Sequence, residues 1–339
     1  MILFWSLGIV IFAAGMMLEP QLVKKSFYDS YILIADVLLP SLFPFMIISH
    51  LVIATGIKNI LSLPIKFLFK LLKLPEKLAP YFLCSAIGGY PTGIKALAAG
   101  CECKDIEKRE ASYYLPFLVN AGPGFVIMAV GKRMFSSYAV GFVFYFSQLA
   151  AALIVGKILL KKDACSNMAS CNTLTVGDAF IPAVNKAGDA MLGICFFVLF
   201  FSLLNSFVSF IFKESSFANM ILALNEVTSG CMLLSEEKYG FLGAAFLIGF
   251  SGLSCIFQVK AIGEESKIDT SELFLIKLAE GIIALLCTCL SVKLLNITTV
   301  VSEIYTPSIE TYSPDRLTAA LLIGIMFVKV IFYKKGEKR

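Results

Sequence analysis

Four short stretches of this chain place backbone-breaking residues and hydrogen-bonding side chains inside apolar sequence. They are Gly88-Gly89-Tyr90-Pro91-Thr92-Gly93, Asn120-Ala121-Gly122-Pro123-Gly124, Asn225-Glu226-Val227-Thr228-Ser229-Gly230 and Ser251-Gly252-Leu253-Ser254. Proline removes an amide donor and clashes with the preceding helical turn. Glycine in a helix is less favourable than alanine by about 1 kcal/mol. A helix through any of these stretches is interrupted, and its leftover N–H and C=O groups find no partner in lipid. Such breaks persist in a membrane only when buried in protein or facing a wet cavity. The chemistry on offer is the binding of a polar solute at membrane depth.

Each break has a ligand-binding reading and a plainer one. Gly89 and Gly93 let backbone amides face a cavity, and Pro91 ends one half-helix while a second begins near Thr92. The positive end of that second half-helix suits an anion, and Lys95 in the next turn adds a full charge. The plainer reading is a tight packing spot with Lys95 snorkelling to the interface. Asn120, beside Gly122, can donate and accept, which suits carboxylates or ring nitrogens. Alternatively it joins two helices by a hydrogen bond worth about 0.6 to 2 kcal/mol. Asn225, Glu226, Thr228 and Ser229 form a polar group in apolar surroundings. Glu226 can hold a coupling cation, a proton or substrate, or it can be an interfacial carboxylate near a short helix end. Ser251, Ser254 and Gln258 share one helix side and extend that polar face. The candidate substrate-binding residues are therefore Gly89, Pro91, Thr92, Gly93, Lys95, Asn120, Gly122, Asn225, Glu226, Ser229, Ser251 and Ser254.

No catalytic residue, metal site or cofactor is expected. The 10 cysteines include no CxxC pair, and His50 is the single imidazole, which does not supply the four ligands of a structural zinc site. Cys84, Cys195, Cys231, Cys255, Cys287 and Cys289 lie in apolar runs, whereas Cys101, Cys103, Cys165 and Cys171 lie in loops. There is no phosphate-binding GxxxxGK[ST] loop, no paired-His protease motif and no Gly-x-Ser-x-Gly elbow. No nucleophile has an evident base, since His50 has no acidic residue within several positions. An enzyme is not expected, and energy for transport would come from an ion or substrate gradient. Nucleic acid is not an expected partner, because no basic stripe alternates with aromatics in a soluble module. A coupling ion and assembly of identical copies stay open.

The elements that position these breaks are membrane helices. Of 339 residues 58% are hydrophobic and 16% charged, and the mean hydropathy is +0.84. Soluble domains carry about a quarter charged residues. Helices are expected near 2–18, 34–56, 136–160, 179–212, 240–262, 272–295 and 316–333. The first is read as a transmembrane helix, since bulky Met16-Met17-Leu18-Glu19 offers no convincing cleavage site. Residues 60–76 form an amphipathic surface helix, with Lys66, Lys70, Lys73 and Lys77 on one face and Leu63, Phe67, Leu71 and Leu74 on the other. Lys132, Arg133 and Lys260 mark membrane boundaries. Tail lysines from Lys334 favour a cytoplasmic C-terminus, and 296–313 lacks Lys and Arg, but basic loops flanking 34–56 conflict with a simple count.

The fold class is an all-α polytopic membrane protein of one membrane domain, 1–339. Two gate-type repeats with broken helices or re-entrant hairpins are expected, at 30–160 and 178–295, followed by a loop and C-terminal transmembrane helix over 296–339. Ala35-Asp36 opens one apolar helix with Phe43 and Ser49 downstream, and Gly188-Asp189 opens another with Phe196 and Ser202 at the same offsets. Asp36 and Asp189 are read mainly as favouring helix N-termini. A Gly-containing break and a second break follow each helix. Carriers often place substrate at broken helices where two such halves, often inverted, meet. Chance likeness between apolar helices is the alternative.

Leu39-Pro40-Ser41-Leu42-Phe43-Pro44-Phe45, Gly89-Tyr90-Pro91-Thr92-Gly93, Asn120-Ala121-Gly122-Pro123 and Gly249-Phe250-Ser251-Gly252-Leu253-Ser254 together resemble the sporulation integral membrane protein YlbJ family. The resemblance implies a place in the nucleoside-recognition or gate superfamily, to which that family belongs. The resemblance covers roughly 30 to 295. It implies a place in the cell membrane or forespore membrane and movement of dipicolinate, a small organic dianion, during endospore formation. Phe257-Gln258 stands where the family resemblance leads one to expect a His-containing stretch. A nucleoside carrier or gate-like channel, and a non-transporting membrane scaffold of sporulation, are the rival readings.

Overall fold

The computed structural model describes residues 2–55, 57–102, 104–160, 174–212, 216–237 and 240–295. Cys103, Cys165, Cys171, the stretch 296–313, the helix expected at 316–333 and the tail from Lys334 lie outside the described residues. The helices are, in chain order, α1 (Ile2–Leu18), α2 (Pro20–Leu33), α3 (Leu39–Ala54), α4 (Ile57–Leu61), α5 (Leu63–Leu72), α6 (Ala79–Gly88), α7 (Tyr90–Glu102), α8 (Lys108–Tyr114), α9 (Tyr138–Leu159), α10 (Val176–Phe212), α11 (Ser216–Asn225), α12 (Val227–Ser235), α13 (Gly240–Phe250), α14 (Gly252–Ser266) and α15 (Leu273–Leu295). A π-helical turn, Ile34–Leu38, joins α2 to α3, and a longer π-helix, Gly124–Met134, precedes α9. Among the described residues no strand forms, and the one β-bridge pairs Thr55 with Leu174.

Among the described residues five stretches are long and apolar enough to cross a membrane: Pro20–Ala54, Tyr138–Leu159, Val176–Phe212, Gly240–Ser266 and Leu273–Leu294. A bilayer core is about 30 Å thick and needs about 20 apolar residues. At 1.5 Å per residue α10 is about 55 Å long, so it tilts or projects beyond that core. Apolar side chains such as Ile9, Phe146, Leu275 and Leu294 face outward, as lipid contact requires. The molecule is an all-α polytopic integral membrane protein.

Three local expectations are corrected. The helix read from 34 begins at Pro20, a favoured first helical residue. Lys24, Lys25 and Asp29 interrupt the apolar pattern there. Asp36 and Asp189 therefore open no helix: Asp36 lies in the π-turn and pairs with Arg133 at 3.7 Å, and Asp189 lies well inside α10. The surface helix exposes Leu63, Phe67 and Leu71, but Leu74 is buried. Lys73 adopts the left-handed conformation (φ 59°), ends α5 after Leu72 and turns Leu74 inward.

The packing is reciprocal. The long α10 lies on α2 and α3, and α9 lies on α15. Between these pairs α7 packs on α14, while α12 packs on the π-helix 124–134. All four elements at the crossings border a break.

Candidate functional site

The first break separates α6 from α7 at Gly89, whose φ of 84° favours glycine. The last carbonyls of α6 have no helical partners, and other groups supply them. Ser49 Oγ donates to Cys84 O (3.3 Å), Gly89 N to Ser85 O (3.0 Å), Tyr145 OH to Ala86 O (3.0 Å) and Thr92 Oγ1 to Gly88 O (3.0 Å). The second break is an extended run between the short 3₁₀ turn Pro116–Leu118 and the π-helix. Here Asn120 Nδ2 donates to Phe117 O (2.9 Å) and Ser85 Oγ (3.2 Å). Gln148 holds both sides of one peptide, giving Nε2 to Ala121 O (2.6 Å) and accepting from Ala121 N (3.2 Å). The two breaks touch: a Cβ on Gly89 would stand 3.2 Å from Gly122 N, and one on Gly93 would strike the Leu118 carbonyl oxygen.

The two breaks nearer the C-terminus are also apposed, with different chemistry. Glu226 separates α11 from α12 and is 1% exposed. Its Oε1 accepts from Thr228 N (2.9 Å), and its Oε2 accepts from Ser229 N (2.6 Å) and Ser229 Oγ (2.8 Å). The carboxylate thus caps α12. Asn225 Nδ2 donates to Asn205 Oδ1 at 2.9 Å. The break between α13 and α14 carries positive φ at Ser251 (80°) and Gly252 (73°). A Cβ on Gly252 would stand 3.0 Å from Val227 N. Tyr90, at the head of α7, donates its hydroxyl to Ile248 O (3.0 Å) and so ties the Gly89 break to the end of α13. Ser254 accepts from Gln258 Nε2 at 3.5 Å.

All four breaks are buried in protein, with backbone groups met largely by side chains, as burial demands. Gly89, Pro91, Thr92, Gly93, Asn120 and Gly122 form one assembly, and Asn225, Glu226, Ser229, Ser251 and Ser254 lie at the other pair of breaks. Lys95 stands apart: it is half-buried, and its charged neighbours are Asp189, Glu265 and Lys186. The amides expected to greet an anion are already engaged. Pro91 has none, Thr92 N bonds Gly89 O (3.0 Å), and Glu226 takes those of Thr228 and Ser229.

The residues missed in the sequence are Gln148, Asn205, Tyr90 as a link, and above all Lys277 and Glu280. Both of these last lie on α15 and are 1% exposed. Lys277 Nζ stands 2.8 Å from Glu280 Oε1 and donates to Val119 O at 2.8 Å, so α15 caps the second break with a charge. A Lys and a Glu three positions apart inside an apolar helix are a signal readable in sequence. Reading 272–295 as one plain span passed over it.

A cavity of about 420 Å³ opens beside this region. Its lining includes exposed Lys108, Arg109, Lys267, Asp269 and Glu272 and buried Leu115, Pro116 and Leu273. Hydrogen bonds from the Ser271 amide (2.9 Å) and hydroxyl (3.1 Å) hold the Asp269 carboxyl below its usual range. Among the described residues no group of three His, Cys, Asp or Glu is placed to hold a metal ion.

The chain is similar to the sporulation integral membrane protein YlbJ of Bacillus subtilis (strain 168), at 24% identity over 295 residues, covering 74% of this chain and 72% of that relative. No protein-family model and no solved structure matches it with significance. The similarity and the membrane-spanning fold agree with the motifs quoted above.

Proposed function

We propose that this integral membrane protein is a secondary carrier for a small organic anion, and that its substrate in endospore formation is dipicolinate. The observation that supports this best is the meeting of the four breaks in two pairs, Gly89 against Gly122 and Val227 against Gly252, bridged by Tyr90. Carriers use such interruptions to hold solutes between halves that rock against each other. The reciprocal packing of α10 with α2 and α3, of α9 with α15, and of each break-bearing pair across the molecule supports two related halves. The relative's sporulation role supports the setting.

An anion is favoured over a nucleoside because the buried ammonium of Lys277 stands at the second break and the neighbouring cavity carries Lys108, Arg109 and Lys267. Purified protein in lipid vesicles should accumulate labelled dipicolinate above protein-free vesicles. Unlabelled dipicolinate should compete and uridine should not, and Asn120→Ala should lower uptake. Uptake equal to protein-free vesicles, by protein shown to be folded, would contradict the reading. Competition by uridine alone would replace it with the nucleoside carrier.

A further inference from the structure

The Lys277–Glu280 pair is costly for a merely structural element. Replacing a buried ion pair by apolar residues is often neutral or stabilising, because desolvation can exceed the Coulombic gain. A pair kept for structure should have its remaining lone pairs bonded. Here Glu280 Oε1 meets Lys277 at 2.8 Å, yet Glu280 Oε2 has no hydrogen-bond partner. Asn120 Oδ1, in the residue after Val119, has none either. Both residues are about 99% buried, at 1% exposure.

The surrounding titratable groups are otherwise engaged. α13 carries none. On α9, Tyr145 donates to Ala86 O, Lys157 to Leu72 O, and Tyr138 lies under Lys132. The 3₁₀ turn Pro116–Leu118 carries none. Tyr90 on α7 donates to Ile248 O, Glu226 caps α12, and Cys255 on α14 is a neighbour of Lys277. Among the described residues Lys277 is the one cation paired with Glu280, and Glu280 the one carboxylate paired with Lys277.

We propose, on the carrier reading above, that Glu280 is a proton-binding site and that its protonation releases Lys277 to bind a carboxylate of the transported anion. The proton comes from the aqueous phase and bonds to Oε2, leaving a neutral carboxyl. Lys277 keeps its proton and its charge, now uncompensated beside Val119 and Asn120. In a low-dielectric interior an entering carboxylate restores the balance. One proton therefore accompanies one carboxylate. The access route is the cavity. Leu115 lies one turn before Val119, and Leu273 one turn before Lys277 on the same face of α15. Exposed Lys108, Arg109 and Lys267 raise the local anion concentration at its rim.

Two measurements test this. In lipid, a pH-difference infrared spectrum of wild-type protein should show the carbonyl band of an un-ionised carboxylic acid that Glu280→Gln lacks. Dipicolinate binding to wild-type protein should strengthen about tenfold per unit fall in pH above the titration of that group, as linkage to one proton requires. Glu280→Gln, which mimics the protonated state, should bind tightly with no such dependence. The double variant Lys277→Met, Glu280→Gln, which retains no buried charge, should fold and not bind. A spectrum unchanged by Glu280→Gln, or binding by Glu280→Gln that keeps the wild-type pH dependence, would overturn the proposal. Loss of the Glu280 band with no dipicolinate binding in any variant would instead leave the proton site standing and overturn the substrate.

Discussion

Two carboxylates are buried to the same degree in this protein, and their surroundings differ in kind. Glu226 and Glu280 are each 1% exposed. Glu226 accepts three hydrogen bonds of 2.6 to 2.9 Å from the turn it begins, so its charge is satisfied locally and its position follows from its own helix. Glu280 has one ammonium, held in turn by a carbonyl on the far side of a break, and one oxygen with no hydrogen-bond partner. A satisfied carboxylate fixes a backbone. One with a spare oxygen and a movable partner can change state. On the proton-site proposal the second pair of breaks is the more rigid, and the first, held by α15, the more adjustable.

The largest effect should follow from Lys277→Ala, which strands a buried carboxylate and the Val119 carbonyl. A loss of about 3 to 5 kcal/mol is expected, read as a lower melting temperature of detergent-purified protein. Glu226→Ala removes a cap and leaves three donors without their acceptor, and should destabilise by about 2 to 3 kcal/mol with no dependence on Lys277. The smallest effect belongs to the pair removed together. Lys277→Met with Glu280→Leu should change stability by less than about 1 kcal/mol while abolishing uptake. If the double variant is as unstable as Lys277→Ala, the pair is structural and the contrast with Glu226 disappears.

Much of the architecture was legible because its signals are local. Gly89, with its positive φ, and Gly122 stand at the first two breaks, while Gly88, Pro91 and Gly93 lie in the helices that flank the first and Gly124 opens the π-helix after the second. The apolar spans followed from length and hydropathy. What escaped depends on three-dimensional placement or on mixed composition. α2 alternates apolar residues with Lys24, Lys25 and Asp29, so no apolar run announces it. Glu226 reads in sequence as a site for a cation, a proton or substrate, or as an interfacial carboxylate, and becomes a cap only when Thr228 and Ser229 turn their amides toward it. Lys95 lies one turn from the first break in sequence, yet α7 places it among Asp189, Glu265 and Lys186. Lys277 reaches Val119 across 158 positions, a contact no spacing rule contains.

The central claim is that these buried breaks open to water during a transport cycle. Asn120→Cys and Ser251→Cys, each in a background without the native cysteines, can be treated in native membranes with a membrane-impermeant anionic thiol reagent. Labelling of both positions, slowed by dipicolinate, is the result the carrier account predicts. Cysteines at 120 and 251 that stay unlabelled under every condition, while one at exposed Ser271 on the cavity rim reacts, would contradict it.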